Sequence, residues 1–479
     1  MRNRHTAQKD LPLMSLDDKG GTVKGPHSAF RYLWLLVGMG NLADGFLGIG
    51  CSLLILQLTT DPFLVAMVSL AGTAPWLVST LPAGVIADRR DRYYIMLVAN
   101  VIRTVFVAVF AFIVAREAIP VAILFIFILT ATFVEPFYDT ASDAEVPRLS
   151  GLEWLNTAQA RIQGTQMVAQ NFIAVPLAAA AFTLWMPLPF IVGGALYALT
   201  LVVIPITRAK ALQDFSDDTA GEPVSPQATT PAENNIETPE KEPAKKQSGF
   251  ASWRGDVADG IHFVAHSPIV LRLIIIAAAM TLISQFANSV FMMFIIDRVH
   301  VPQAWVGTFT VIQAVAGLTG MWLAPRLMDK FGRLKMALLF LAVAVPLTVL
   351  WGLSTNPLMG GFAMFINGLG GALSGVAMAA LRQSLVPNSV MGRTQSINSL
   401  LSAVAILIAY PLGGLVSRLD LRLPWFIAAG GFAVLAISAW VSFRNVSEPG
   451  QAAGVDEEPA AAAETPSGVQ TASEAPVGC

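Results

Sequence analysis

Four ionisable residues stand inside long apolar runs, where each is costly: Asp44, Arg103, Glu135 and Asp139. Helical spacing puts Glu135 and Asp139 on one face of one helix, and Asn41 with Asp44 on one face of another. Desolvation favours a neutral carboxyl, whereas a nearby guanidinium favours the carboxylate. An acid that alternates between Arg103 and water therefore has the chemistry to take up and release a proton. All four residues are candidates for coupling to protons or sodium. The plainer reading of Asp44 and Arg103 is a fixed ion pair between two helices, and of Asp139 a place at the membrane surface.

The second half of the chain offers a different inventory. Its apolar runs hold no acid at mid-depth but carry the amides Gln285, Asn288, Gln313, Asn367, Gln395 and Asn398. Asn41, Gln285, Asn288, Gln313, Asn367, Phe286 and Trp76 are candidates for lining a substrate cavity, because apolar surface with a few amides suits bulky, variable ligands. Such residues in membrane helices more often face lipid or neighbouring helices. Gly360, Gly361, Gly368, Gly370, Gly371 and Gly375 allow close helix packing or bending. No phosphate-binding loop, nucleophile elbow or paired-histidine zinc motif occurs. No catalytic residue, cofactor or metal site is expected, and a net charge of −2 gives no footprint for nucleic acid.

The elements that must position these residues follow from composition. The chain has 479 residues, 54% hydrophobic and 13% charged, with a mean hydropathy of +0.61. Thirty of the 62 charges fall in residues 1–31, 208–254 and 444–479, so the other 365 residues are only about 9% charged. A soluble enzyme carries far more. The apolar runs cut into twelve stretches long enough to cross a bilayer, near 32–57, 63–87, 93–115, 119–140, 158–183, 187–207, 270–296, 304–327, 334–354, 357–386, 394–417 and 423–443. Lipid leaves no partner for unpaired backbone groups, so an all-α membrane bundle of twelve transmembrane helices is expected. With both termini in the cytoplasm, 25 Lys and Arg residues fall on that side and 4 on the other. This asymmetry supports a multi-pass protein of the cell (inner or plasma) membrane with both ends inside. The expected division is a cytoplasmic tail (1–31), an N-terminal six-helix bundle (32–207), a disordered cytoplasmic linker (208–254), an interfacial helix with a C-terminal six-helix bundle (255–443), and a disordered tail (444–479).

The two six-helix halves resemble each other. Asp88-Arg-Arg-Asp-Arg92 recurs as Asp329-Lys-Phe-Gly-Arg333, Val146-Pro147 as Val386-Pro387, and Val175-Pro176-Leu177 as Tyr410-Pro411-Leu412, at offsets of 241, 240 and 235. Halves related by an axis along the membrane normal, with a site between them, are a transporter architecture.

At the loop Leu81-Pro-Ala-Gly84-Val-Ile-Ala-Asp88-Arg89-Arg-Asp-Arg92 the chain resembles the major facilitator superfamily, and more closely its drug-exporter branch, which includes macrolide efflux proteins and the enterobactin exporter. Asn41-Leu-Ala-Asp44-Gly45, Glu135-Pro-Phe-Tyr-Asp139 and Gly392-Arg393-Thr-Gln395-Ser-Ile-Asn398 agree with that branch. The resemblance implies the major facilitator fold, with two pseudo-symmetric halves, and a single chain working as a monomer in the lipid bilayer. It also implies a conformational latch built from Gly84, Asp88, Arg89, Arg92, Asp329, Lys330, Arg333 and Arg393, with Asp88 facing the start of span 11. Ala178 and Ala179 stand where many exporters have glycines, a departure that bears on glycine-mediated packing of spans 5 and 8. The implied activity is secondary, proton-coupled export of hydrophobic or amphipathic small molecules, such as an antibiotic or a siderophore, by alternating access. The alternatives are a lysophospholipid or lipid flippase of the same fold, and a membrane sensor that does not transport.

Overall fold

A computed structural model describes residues 27–117, 119–220, 267–386 and 391–443. Among them are twelve helices long and apolar enough to cross a membrane. Spans 1 to 6 are Ser28–Leu58, Pro62–Arg89, Arg92–Val114, Val121–Gly151, Glu153–Leu184 and Leu188–Ser216. Spans 7 to 12 are Val270–Asp297, Gln303–Phe331, Arg333–Leu353, Pro357–Ser384, Thr394–Ser417 and Leu423–Phe443. The short connections alternate between two ends. One end, here the termini end, carries Ser28, the 89–92 turn, Gly332 and Phe443. The expected interfacial helix, most of the linker and both tails lie outside the described residues.

Local chemistry sets the breaks. Asp91 caps span 3 by accepting from the Tyr94 amide at 3.1 Å, and Asp61 caps span 2 by accepting from the Phe63 amide at 3.0 Å. Span 4 meets span 5 at Gly151, whose φ of 70° lies in the left-handed region that a side chain disfavours. Span 5 widens into a π-helical turn at Val168–Ala174, just before Pro176.

Span 6 runs past the expected boundary at 207, and its helix continues to Ala220. The overrun is held by charge. Asp214 accepts from Ser28 Oγ at 2.9 Å and from the Ala29 amide at 2.9 Å, capping span 1 from another helix. Arg208 pairs with Asp91 at 2.7 Å, and Arg148 lies 4.6 Å from the centre of the Phe215 ring.

Aromatic clusters knit each half. Phe110 and Phe127 stack at 3.9 Å with Phe190 edge-on, and Trp351 stacks on Trp425 at 5.2 Å beside Phe294. The apolar core at the end opposite the termini crosses between halves: Val290 and Met293 of span 7 pack with Leu53, Val65 and Val175 of the first half. At the termini end the buried clusters stay separate. One holds only first-half residues such as Phe30, Met96 and Ile162, and the others hold only second-half residues such as Leu273, Leu381 and Phe443. The described structure is therefore sealed at one end and parted at the other.

Two segments of the internal repeat form the seal. A Cβ on Gly307 of span 8 would fall inside the backbone of Val175 and Pro176 in span 5. Gly414 of span 11 lies against Phe63 and Ala66 of span 2. Spans 5 and 8 thus pack through a glycine even though span 5 carries Ala178 and Ala179. The glycine sits on span 8, so span 5 can carry alanine at no steric cost.

Candidate functional site

The N-half holds a cavity of about 300 Å³ lined by Asp44, Arg103, Thr132, Glu135, Gln170 and Tyr197. All six helices of the first half contribute, span 2 through Val68 and Ser69. Gly45 of span 1 presses against Ala174 and Gln170, so the π-turn of span 5 brings Gln170 to the wall. One helical turn before Arg103, Asn100 donates to Thr200 Oγ at 2.7 Å and fixes span 3 against span 6. That contact places Tyr197 under Arg103.

At the centre, Arg103 Nη2 and the Tyr197 hydroxyl both donate to Oδ1 of Asp44. The guanidinium also lies 4.3 Å from the centre of the Tyr197 ring. Arg103 is 3% exposed, and its Nε and Nη1 have no hydrogen-bond partner, so the ring face is what compensates them. Asp44 and Glu135 both line the cavity. The arrangement is a carboxylate restrained by two donors with a second acid in reach of the same cation.

The expected coupling residues are thus brought together in part. Asp44, Arg103 and Glu135 share the cavity, while half-buried Asp139 sits one turn nearer the termini end and is not among its lining residues. Asn41 turns back to donate to the Val37 carbonyl at 2.9 Å. Tyr197 is the participant that sequence reasoning missed; inside the apolar run of span 6 it reads as one more large side chain.

In the second half, the amides form two links. Gln285 donates to the Tyr410 hydroxyl at 2.7 Å, and Gln313 donates to Asn367 Oδ1 at 3.3 Å. Asn288 bonds its own Ser284 carbonyl at 2.8 Å. Phe286 is half-buried and its carbonyl is crowded by Gly413. Trp76 is 44% exposed. The span 10 glycines divide: Gly360 and Gly368 pack against Val299 and the Gln313 carbonyl, whereas Gly371 and Gly375 face open space.

The expected latch residues lie at the termini end. Gly84 is half-buried, and Asp88, Arg89, Asp329, Lys330 and Arg333 are exposed. Among the described residues Asp88 and Asp329 make no hydrogen bond or ion pair, and the side chain of Arg393 lies outside the described residues. Arg92 is engaged within the first half. It donates to the Ala144 carbonyl at 2.8 Å and to Glu145 at 3.1 Å. Glu145 is 1% exposed, also accepts from the Tyr93 hydroxyl at 3.3 Å and stands 3.6 Å from Arg148. Glu145 was hidden in a stretch that reads as the polar end of span 4.

A family model described as Major Facilitator Superfamily matches residues 33–410 and, in a second alignment, 274–473. The chain belongs to the Major Facilitator Superfamily. It is accordingly a secondary transporter, a multi-pass membrane protein and not an enzyme. Major facilitator proteins carry small-molecule substrates, often with ion coupling, and function as single chains.

Solved structures of this superfamily's fold superpose on the chain. A bacterial homologue of the iron transporter ferroportin, in an inward-facing state, is 16% identical with a TM-score of 0.64, over 87% of this chain and 98% of that one. The nucleoside transporter NupG is 14% identical with a TM-score of 0.61, over 87% and 99%. A bacterial homologue of the lysosomal transporter Spinster is 13% identical with a TM-score of 0.59, over 87% and 96%. At these identities the likeness is one of fold. No curated protein sequence matches the chain.

Proposed function

We propose that this major facilitator protein is a proton-coupled exporter of hydrophobic or amphipathic small molecules, of the drug-exporter branch, in the cell membrane with both termini in the cytoplasm. The observation that carries the reading is Asp44, held by Arg103 and Tyr197 in a first-half cavity that also contains Glu135. The second half brings amides and aromatic surface instead of acids. The first half then handles the proton, and the second supplies most of the substrate contacts.

In this reading the sealed end faces outward and the parted end faces the cytoplasm. Protonation of Asp44 releases Arg103, which turns its unsatisfied nitrogens toward Glu135. That exchange of partners biases the two halves between their end states, which need differ by only a few kcal/mol. Asp88 and the start of span 11 close the cytoplasmic end when it shuts.

The test is transport itself. The full chain is expressed in a host lacking its own pumps and scored for dye efflux and drug resistance, with and without a protonophore and with sodium removed. The reading predicts efflux that the protonophore abolishes and sodium removal leaves intact. Efflux insensitive to the protonophore would remove the proton, and uptake in place of efflux would remove the direction.

A further inference from the structure

The π-helical turn of span 5, Val168–Ala174, lies between the proton site and the seal. The Val175 amide donates to the Gln170 carbonyl, five residues back, and not to Asn171, four back. The next residue, Pro176, has no N–H, so the Asn171 carbonyl loses both donors the helix could give it. A turn that forgoes a hydrogen bond has to be held from outside. Span 1 holds it on one side: a Cβ on Gly45 would collide with Ala174 and stand 3.1 Å from the Gln170 carbonyl oxygen and 3.4 Å from its Cα. Span 8 holds it on the other, through Gly307 against Val175 and Pro176. An α-helical register here would rotate one side of the turn by about 100° against the other. With Val175 and Pro176 fixed in the seal, that rotation would swing Gln170 away from the cavity.

What the turn presents is an unspent amide. Gln170 is exposed on the cavity wall, and among the described residues its side chain makes no hydrogen bond. Asn41, Asn100 and Asn171 of the same half each spend an amide hydrogen on a carbonyl or hydroxyl. The titratable and charged residues lining the same cavity are Asp44, Cys51, Arg103, Glu135 and Tyr197. Gly45, the residue after Asp44, is the one that rests on the Gln170 backbone, so the two side chains leave abutting main chains for one cavity. A carboxamide offers an acceptor oxygen beside a donor N–H. A protonated carboxyl offers the complement, so the two can pair through two hydrogen bonds, O–H to amide oxygen and N–H to acid carbonyl.

We propose that Gln170, presented by the π-turn, is a positioning residue that pairs with the Asp44 carboxyl once it is protonated and has released Arg103. The assignment rests on the proton-coupled reading and adds the group that takes the cation's place. Asp44 is then hydrogen-bonded in both charge states, by Arg103 and Tyr197 when ionised and by Gln170 when neutral.

The test reads protonation without transport. Purified full-length protein in lipid nanodiscs is taken from alkaline to acid pH, and the infrared difference spectrum is recorded in the carboxylic C=O region. The Asp44 band is the one missing in Asp44→Asn. In Gln170→Met, which keeps length and helix preference but removes the amide, that band should move to higher wavenumber, as a carbonyl that has lost its donor does. Gly45→Ala keeps the amide but crowds its turn, and should move the band the same way. An Asp44 band unmoved by Gln170→Met overturns the pairing and leaves proton coupling intact. No Asp44-dependent band at any pH overturns the coupling reading and the pairing with it. A band moved by Gln170→Met but not by Gly45→Ala overturns the part given to the turn.

Discussion

Arg418 grips Asp61 across the boundary between the halves, with Nε donating to Oδ1 at 2.8 Å and Nη2 to Oδ2 at 2.5 Å. The fork-on-fork geometry gives the sealed end a defined register. The Arg418 hydrogen bonds hold the Asp61 carboxyl below its ordinary range, against a smaller opposing effect of desolvation. A depressed value means the pair favours the sealed state at neutral pH and loses that effect as pH falls through the lowered value. Spin labels at Thr59 and Leu419, in a protein without its two native cysteines, should report a widened distance in Asp61→Asn at neutral pH. The unaltered protein should show the same widening only under strong acid. An Asp61→Asn distance equal to the parent's would show that the clasp does not hold the seal.

Tyr197 should tune the pH response of transport rather than its existence. Tyr197→Phe keeps the ring beneath Arg103 but removes one of the two donors to Asp44, leaving Arg103 alone on that oxygen. The efflux-versus-pH profile should change shape in Tyr197→Phe while efflux itself persists. Asp44→Asn should abolish the pH dependence altogether. Matching profiles for Tyr197→Phe and the parent would confine the hydroxyl to a packing role.

Replacing Arg103 by lysine should not be conservative. A lysine ammonium cannot reach Asp44 and cover the Tyr197 ring as a planar guanidinium does. Removing the cation altogether, in Arg103→Ala, leaves Asp44 uncompensated, and breaking a buried pair costs about 3–5 kcal/mol. Thermal unfolding in detergent should show the loss, and Asp44→Asn combined with Arg103→Ala should recover much of it.

Gly307→Val places a side chain where Pro176 now sits. Overpacking of this kind costs about 1–3 kcal/mol, and here the cost falls on the sealed state alone. The same spin-label pair should widen, while the equivalent change at Gly371, facing open space, should leave the distance unaltered.

The twelve spans were legible because hydrocarbon imposes length and composition on every helix. The pairing of Asp44 with Arg103 was legible for the related reason that an isolated charge at depth has to find a partner. Glu145 and Asp61 were not, because both lie near helix ends, where charge is unremarkable in sequence. Their partners arrive from distant segments, Arg418 being 357 residues from Asp61. Helix length at span 6 was misjudged because Arg208 and Asp214 read as the start of a polar linker. Only tertiary contacts with Asp91 and Ser28 turn them into the end of a helix.

The clasp of Asp214 on the first turn of span 1 has a temporal consequence. It joins the first and last helices of the N-half, so every contact needed to close that bundle is encoded by residue 216. At a synthesis rate of about 5–20 residues per second, roughly ten to forty-five seconds separate emergence of this segment from emergence of span 12. The first half can complete its assembly in the bilayer during that interval and present a finished face to the second half as it is born.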